Sequence, residues 1–236
     1  MKFDSSKVKM LCFFLAAFFV VPAGTTLARS KRHKHKHVQK KKKKDPFNNI
    51  SRIIKKEALI DAMKKLAEDE RVPIASSTLV EKGRGEEYYG VDKLLDRNPD
   101  TFWAEGAKGW GKNEWIAFYL PEGTTHIEIT PGAGKEQFSN FNRPRKVYVD
   151  VYLVKIVRNT RTDKIEPKFK WMGRTVVYFK DKPRTVRKKL SVKLEELAMT
   201  ERTMYVGVMF IRKVYKGQFD DTAISELHTT SIWGEE

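Results

Sequence analysis

The sequence predicts an all-β domain, an antiparallel sandwich or barrel, behind an export signal, a basic run and one helix. Three observations predict it. Apolar residues alternate with polar or small ones in four separate stretches after Val72. Gly/Pro turns separate the stretches: Pro121-Glu122-Gly123, Pro131-Gly132-Ala133-Gly134, Asp181-Lys182-Pro183 and Lys216-Gly217. No helical pattern of 10–15 residues alternates with them, which argues against a parallel α/β sheet.

Residues 1–28 read as a secretory signal peptide. Lys2, Lys7 and Lys9 precede a short apolar run, Leu11 to Val21, and Thr26-Leu27-Ala28 offers a cleavage site. The run is about half the roughly 20 residues that a spanning helix needs. Cys12, the only cysteine, lies inside the signal. The exported chain then has no disulfide to draw on and depends on packing.

Arg29 to Lys44 holds ten Lys or Arg, three His and no acid. Such a run repels itself and is expected to stay disordered over 29–48, available to polyanions or acting as a solvated spacer. His33, His35 and His37 alternate with lysines, whose charge opposes metal binding. Over 45–236 the balance is much milder, 34 Lys and Arg against 29 Asp and Glu.

The spacing of Ile53, Leu59, Ile60, Met63, Leu66 and Ala67 predicts an amphipathic helix over 49–70, with Asn48-Asn49 as its cap. Glu57, Asp61, Lys64 and Glu68 fall on the opposite side. More acids than bases on that side argue against anionic lipid. The stripe is expected to pack on its own domain or on a second chain. Asn49-Ile50-Ser51 matches a glycosylation sequon, relevant only in a eukaryotic secretory route.

The domain proper is expected over 72–236. Its strands are read at Ile116–Leu120, Ile127–Ile129, Val147–Leu153 and Met204–Phe210, each with one face on a core. No reaction centre is evident. Pro131-Gly132-Ala133-Gly134-Lys135 fails the phosphate-loop pattern at Ile129 and Glu136. His126 and His228 have no nucleophile partner at a recognisable spacing. Carboxylates are numerous enough for an acid–base pair, which leaves a hydrolase as a third hypothesis.

Four motifs in order carry a resemblance: Ala75-Ser76-Ser77; Leu94 to Trp103 (LLDRNPDTFW); Asn113-Glu114-Trp115; and Asp220 to Glu226 (DDTAISE). Asn140-Phe141-Asn142-Arg143 adds a fifth piece. Together they resemble the discoidin-like, coagulation-factor type C domains, and within these the NAD glycohydrolase translocation branch, over roughly 72–232. The resemblance implies a galactose-binding-like jelly roll that binds and does not catalyse. The NAD-cleaving domain of that branch is separate, so no such activity carries over.

The resemblance also implies a site for structural calcium at the polar loop, with Asp96, Thr101 and Glu226 as oxygen donors. Asn98 stands where the family has a second Asp, which removes a charge. The alternative is a metal-free Asp–Pro turn in which Asp96 or Asn98 accepts backbone N–H groups. Trp103 and Trp115 are expected in the core. Ligand contacts are expected in loops at one end, from Tyr88, Tyr89, Trp110, Asn113, Phe141, Asn142, Arg143, Tyr215, Asp220 and Asp221. Aromatics suit sugar faces and protein anchors alike. Two functions follow as expectations. One is a secreted, non-catalytic module for a glycan or cell-envelope component, helped by the basic run. The other is a protein–protein adaptor that docks through helix and sandwich.

Overall fold

A computed structural model describes residues 56–68, 72–158, 165–197 and 203–231. The expected signal peptide, the basic run and the start of the expected helix lie outside the described residues. Helix α1 spans Lys56–Glu68. Nine strands follow: β1 Ile74–Ala75, β2 Trp103–Ala104, β3 Trp115–Leu120, β4 Thr124–Pro131, β5 Arg143–Arg158, β6 Ile165–Tyr178, β7 Val186–Lys189, β8 Thr203–Tyr215 and β9 Ala223–Ser231. They form a five-stranded sheet in the order β1-β3-β8-β5-β6 and a four-stranded sheet in the order β2-β9-β4-β7. Every pairing between these strands is antiparallel. The fold is an antiparallel β-sandwich.

The main core lies between the sheets. Ile116, Phe118 and Leu120 of β3, Ile127 and Ile129 of β4, and Val147, Val149 and Val151 of β5 meet there with Trp103, Met209, Ile211 and Ile224. These are the alternating residues that the sequence marks for β3, β4 and β5. Strand β8 differs. Met204, Val206, Val208 and Phe210 do not face this core. They face away from it, toward α1, while Tyr205, Met209 and Ile211 turn inward. A strand covered on both faces loses the contrast between its two residue sets. Gly207 sits on the inward set because a Cβ there would lie 2.5 Å from the Phe118 ring.

Helix α1 makes the second cover. Leu59, Ala62, Met63 and Leu66 are buried against Trp115, Ala117, Tyr152, Val154, Val206, Val208 and Phe210. The expected stripe is thus rotated slightly, with Ala62 inside and Ile60 and Ala67 half-buried at its border. The helix packs on its own domain, and its apolar face is occupied there.

Two of the resemblance motifs explain each other physically. Ser76 and Ser77 both donate to Glu114 Oε2, at 2.5 and 2.8 Å, and Ser76 Oγ accepts the Trp115 N–H at 2.9 Å. These bonds tie the segment around β1 to the start of β3. Trp103, fully buried, donates its indole N–H to Ser77 O at 3.1 Å and carries the polar loop into the same knot.

Candidate functional site at the loop end

The ten residues named as ligand contacts divide into scaffold and surface. Tyr89, Phe102 and Phe141 are buried and form an aromatic chain, with centroids 5.3 Å apart for Tyr89–Phe102 and 5.0 Å for Phe102–Phe141. The chain reaches solvent at both ends. Tyr88, 47% exposed, meets Tyr89 edge-on at 4.7 Å; Phe219, 50% exposed, meets Phe141 at 5.2 Å. The Arg84 guanidinium lies 4.1 Å over the Tyr88 ring. Tyr89 donates to Glu81 at 2.9 Å; burial first, and that bond second, push its phenol up to about 12.

Asn142 and Arg143 are corrections to the sequence reading, along with Tyr89 and Phe141. All four are buried and hold loops together rather than offering themselves to a ligand. Asn142 donates to Asp220 O and accepts the Gly217 N–H at 2.8 Å, while its backbone bridges Asp221 O and the Ala223 N–H. Arg143 grips Asp181 in a two-pronged pair (Nε to Oδ1 2.9 Å, second nitrogen to Oδ2 2.8 Å) and donates to Phe141 O and Lys216 O. Four of the five guanidinium N–H donors are spent inside the protein, on a side chain that is itself buried. Tyr215 donates to Phe179 O at 3.1 Å. Asn113, at φ 73, accepts from Arg212.

Trp110, Asp220 and Asp221 remain at the surface or half-buried beside it. Beneath them is a residue the sequence reading passed over. Glu105 is fully buried; Oε2 accepts the Ala107 N–H at 2.8 Å and Oε1 the Thr222 N–H at 3.2 Å. Thr222 in turn donates its hydroxyl to Trp110 O at 2.9 Å. Gly111, at φ +69, passes so close over Glu105 that a Cβ would sit 2.8 Å from its carboxylate. Burial raises the Glu105 carboxyl from 4.5 to about 7, against the two N–H bonds; Asp221 and Glu114 add to the rise. Asp221 is also raised, by burial first and Asp220 second. The available sign was Gly111, the one glycine of the Gly109-Trp110-Gly111 run whose backbone passes close over a side chain. Phe219 lies one residue before the last motif, outside the quoted pattern.

The polar loop closes on itself. Asp96 Oδ1 accepts the Asn98 N–H at 2.9 Å, and Oδ2 accepts the Thr101 hydroxyl at 2.6 Å. Asn98 Oδ1 accepts the Asp100 N–H at 3.2 Å. Glu226 is buried, and its Oε2 lies 2.5 Å from His228 Nε2. Burial raises the Glu226 carboxyl and His228 opposes the rise. Only Glu226, among the described carboxylates, has buried oxygens without an aligned donor. Calcium takes six to eight oxygens; here Asp96 and Thr101 are used by the loop, and Glu226 faces a cation-forming side chain. No group of three His, Cys, Asp or Glu converges for a metal among the described residues.

Two clefts, of about 550 and about 330 Å³, flank Arg97 and His228. None of the ten residues lines either of them. Among the described residues no helix is long and apolar enough to cross a membrane.

Residues 68–230 match the NAD glycohydrolase translocation F5/8 type C domain. The chain belongs to this family. Solved structures with a similar arrangement include the F5/8 type C domain of a Bacteroides fragilis protein (12% identity, 66% of this chain and 88% of that one, TM-score 0.42). Another is arabinofuranosyltransferase AftD from Mycobacteria (16% identity, 68% of this chain, TM-score 0.43); this chain spans only 11% of it. A third is the pair of CBM32 domains of Clostridium perfringens ZmpB (13% identity, 69% of this chain and 34% of that one, TM-score 0.42). No curated protein matches the chain.

Proposed function

We propose that the chain is an exported, non-catalytic binding module that recognises a glycan or another cell-envelope component through its loop end. The observation that carries this is the aromatic chain. Three buried rings brace two exposed ones, Tyr88 and Phe219; Phe219 precedes the Asp220-Asp221 carboxylates, and Thr222 just after them is bonded to Trp110 O. Ring faces beside directional acceptors suit a sugar, and a braced ring loses little freedom on binding. Export follows from the signal-peptide reading of residues 1–28. The adaptor reading is weakened at one point: the apolar face of α1 is spent on its own sheet, so a protein partner would have to meet the sandwich itself.

A glycan array with the chain from Arg29 onward, read at low and high salt, tests the proposal. Binding to a defined set of sugars is expected in both salts, and Trp110→Ala and Phe219→Ala are each expected to weaken it on the order of tenfold. Binding that high salt abolishes would assign it to charge alone. Binding that survives both substitutions but falls with Tyr119→Ala would move the site to the 550 Å³ cleft, which Tyr119 lines.

We further propose that the Asp96–Thr101 loop is closed without a metal. The melting temperature of the domain is then expected to be the same, within about 1 °C, with millimolar calcium and with a chelator, because a ligand stabilises only what it binds. A calcium-dependent rise of several degrees would restore the metal reading.

A further inference from the structure

The positive charge of the domain is concentrated in one place. Lys180 to Lys193 carries seven Lys or Arg and one acid. Elsewhere in 45–236 there remain 27 Lys and Arg against 28 Asp and Glu, so the whole cationic excess of that region lies in fourteen residues. All seven cations are exposed. Strand β7 is the edge of the four-stranded sheet, paired only with β4. Arg187 and Lys189 stand opposite Glu128 and His126 on one face, about 7 Å apart along the strand.

The loop before β7 is held in shape. Asp181, the single acid, is gripped by buried Arg143, and short backbone bonds of 2.8 Å link Lys182 to Lys180 and Arg184 to Lys182. Lys182 and Arg184 are therefore presented from a fixed turn. Beside it opens the 330 Å³ cleft, lined by Lys135, Thr130 and Thr185; the two threonine hydroxyls lie 2.8 Å apart. Glu128 in that cleft is offset by Arg187 at 3.5 Å and bonded by Thr230; Glu226 is faced by His228.

We propose that this edge is a second binding surface, separate from the loop end, for an acidic polysaccharide. Lysines on an edge strand also deter strand-to-strand aggregation, but here the charge runs well beyond the four residues of β7 into both flanking loops. The chemistry of the segment selects the polymer. It contains no Phe, Tyr or Trp, so it offers no platform for stacking bases. Its apolar members, Val186, Leu190 and Val192, are buried or half-buried, so nothing projects to enter a lipid layer. What remains is a fixed row of cations next to hydroxyls in a sugar-sized recess.

The test is retention of the full chain on immobilised polygalacturonate, which carries carboxylates only, and on heparin, which adds sulfates to carboxylates, in roughly physiological salt. Lys182→Gln, Arg184→Gln, Lys188→Gln and Lys189→Gln together are expected to weaken binding to at least one polymer tenfold or more. Neutralising Lys41 to Lys44 is expected to cost less, and Trp110→Ala nothing. The pairs Lys182/Arg184 and Lys188/Lys189, changed separately, are each expected to show a partial loss with unchanged melting. Four outcomes would each overturn the proposal: a quadruple variant that binds like the parent, binding lost wholly with Lys41 to Lys44, binding lost with Trp110→Ala, or duplex DNA of equal charge competing as well as the saccharides.

Discussion

Arg143→Ala is expected to destabilise the domain by about 3 kcal/mol and to abolish binding at the loop end. Arg143 connects three segments. Its guanidinium holds Asp181 by two bonds and the carbonyls of Phe141 and Lys216 by one each. Asp181 is partly exposed and can recover water, which moderates the loss. The two carbonyls have less freedom to do so, because Phe141 is buried and Arg143 itself fills the space beside it. Arg143→Lys is not expected to rescue this: an ammonium lacks the planar fork that serves Asp181 and two carbonyls at once. Chemical denaturation of Arg143→Ala and Arg143→Lys checks both points. A loss below about 1 kcal/mol in the alanine variant would show that the loops hold without the knot.

Glu105 sets the second large effect, on pH dependence. Its carboxyl is raised from 4.5 to about 7 in the folded protein, chiefly by burial. A raised folded value means that the protonated form is favoured by folding. The associated stability is complete below pH 4.5 and is lost as pH rises through about 7, by at most about 3 kcal/mol. Asp221, also raised, acts with the same sign. The parent is therefore expected to lose stability relative to Glu105→Gln between about pH 4.5 and about 7.5. The amide that Glu105→Gln introduces would keep one acceptor for the two N–H groups of Ala107 and Thr222. The variant is thus expected to be the weaker protein at the acid end of that range and to close the gap toward neutrality. Melting curves of both proteins across the range check it. A gap that stays constant with pH would show that Glu105 titrates normally.

How far the sequence could be read depends on how many faces of each element are covered. Strands β3, β4 and β5 keep a clear period of two, and their inward residues are the ones the alternation marks. In β8 the alternation is present but the face is inverted, because α1 buries the outer set as fully as the sandwich buries the inner one. Strand β6 was not legible. A register shift opposite Val151 and Tyr152 places Phe169 and Trp171 on the helix side and Val177 on the core side, so no single period runs through it. At the loop end the residue types were legible but their depth was not. Phe141 and Phe219 are both aromatics in polar loops; one is 4% exposed and the other 50%. Only the packing of Tyr89 and Phe102 against Phe141 separates them. Glu105 was invisible for a similar reason, since its burial comes from its own loop turning back at Gly111 and from Thr222, distant in sequence, closing on it.

The most direct test of the loop end as the recognition face is hydrogen–deuterium exchange of the chain from Arg29, with and without the tightest-binding glycan from the array. Added protection is predicted in residues 81–90, 105–113 and 216–222, with the four-stranded sheet and the 550 Å³ cleft unchanged. Protection centred on Tyr119, Leu227 and Thr229, with those three segments unaltered, would contradict the account and place the ligand in the cleft.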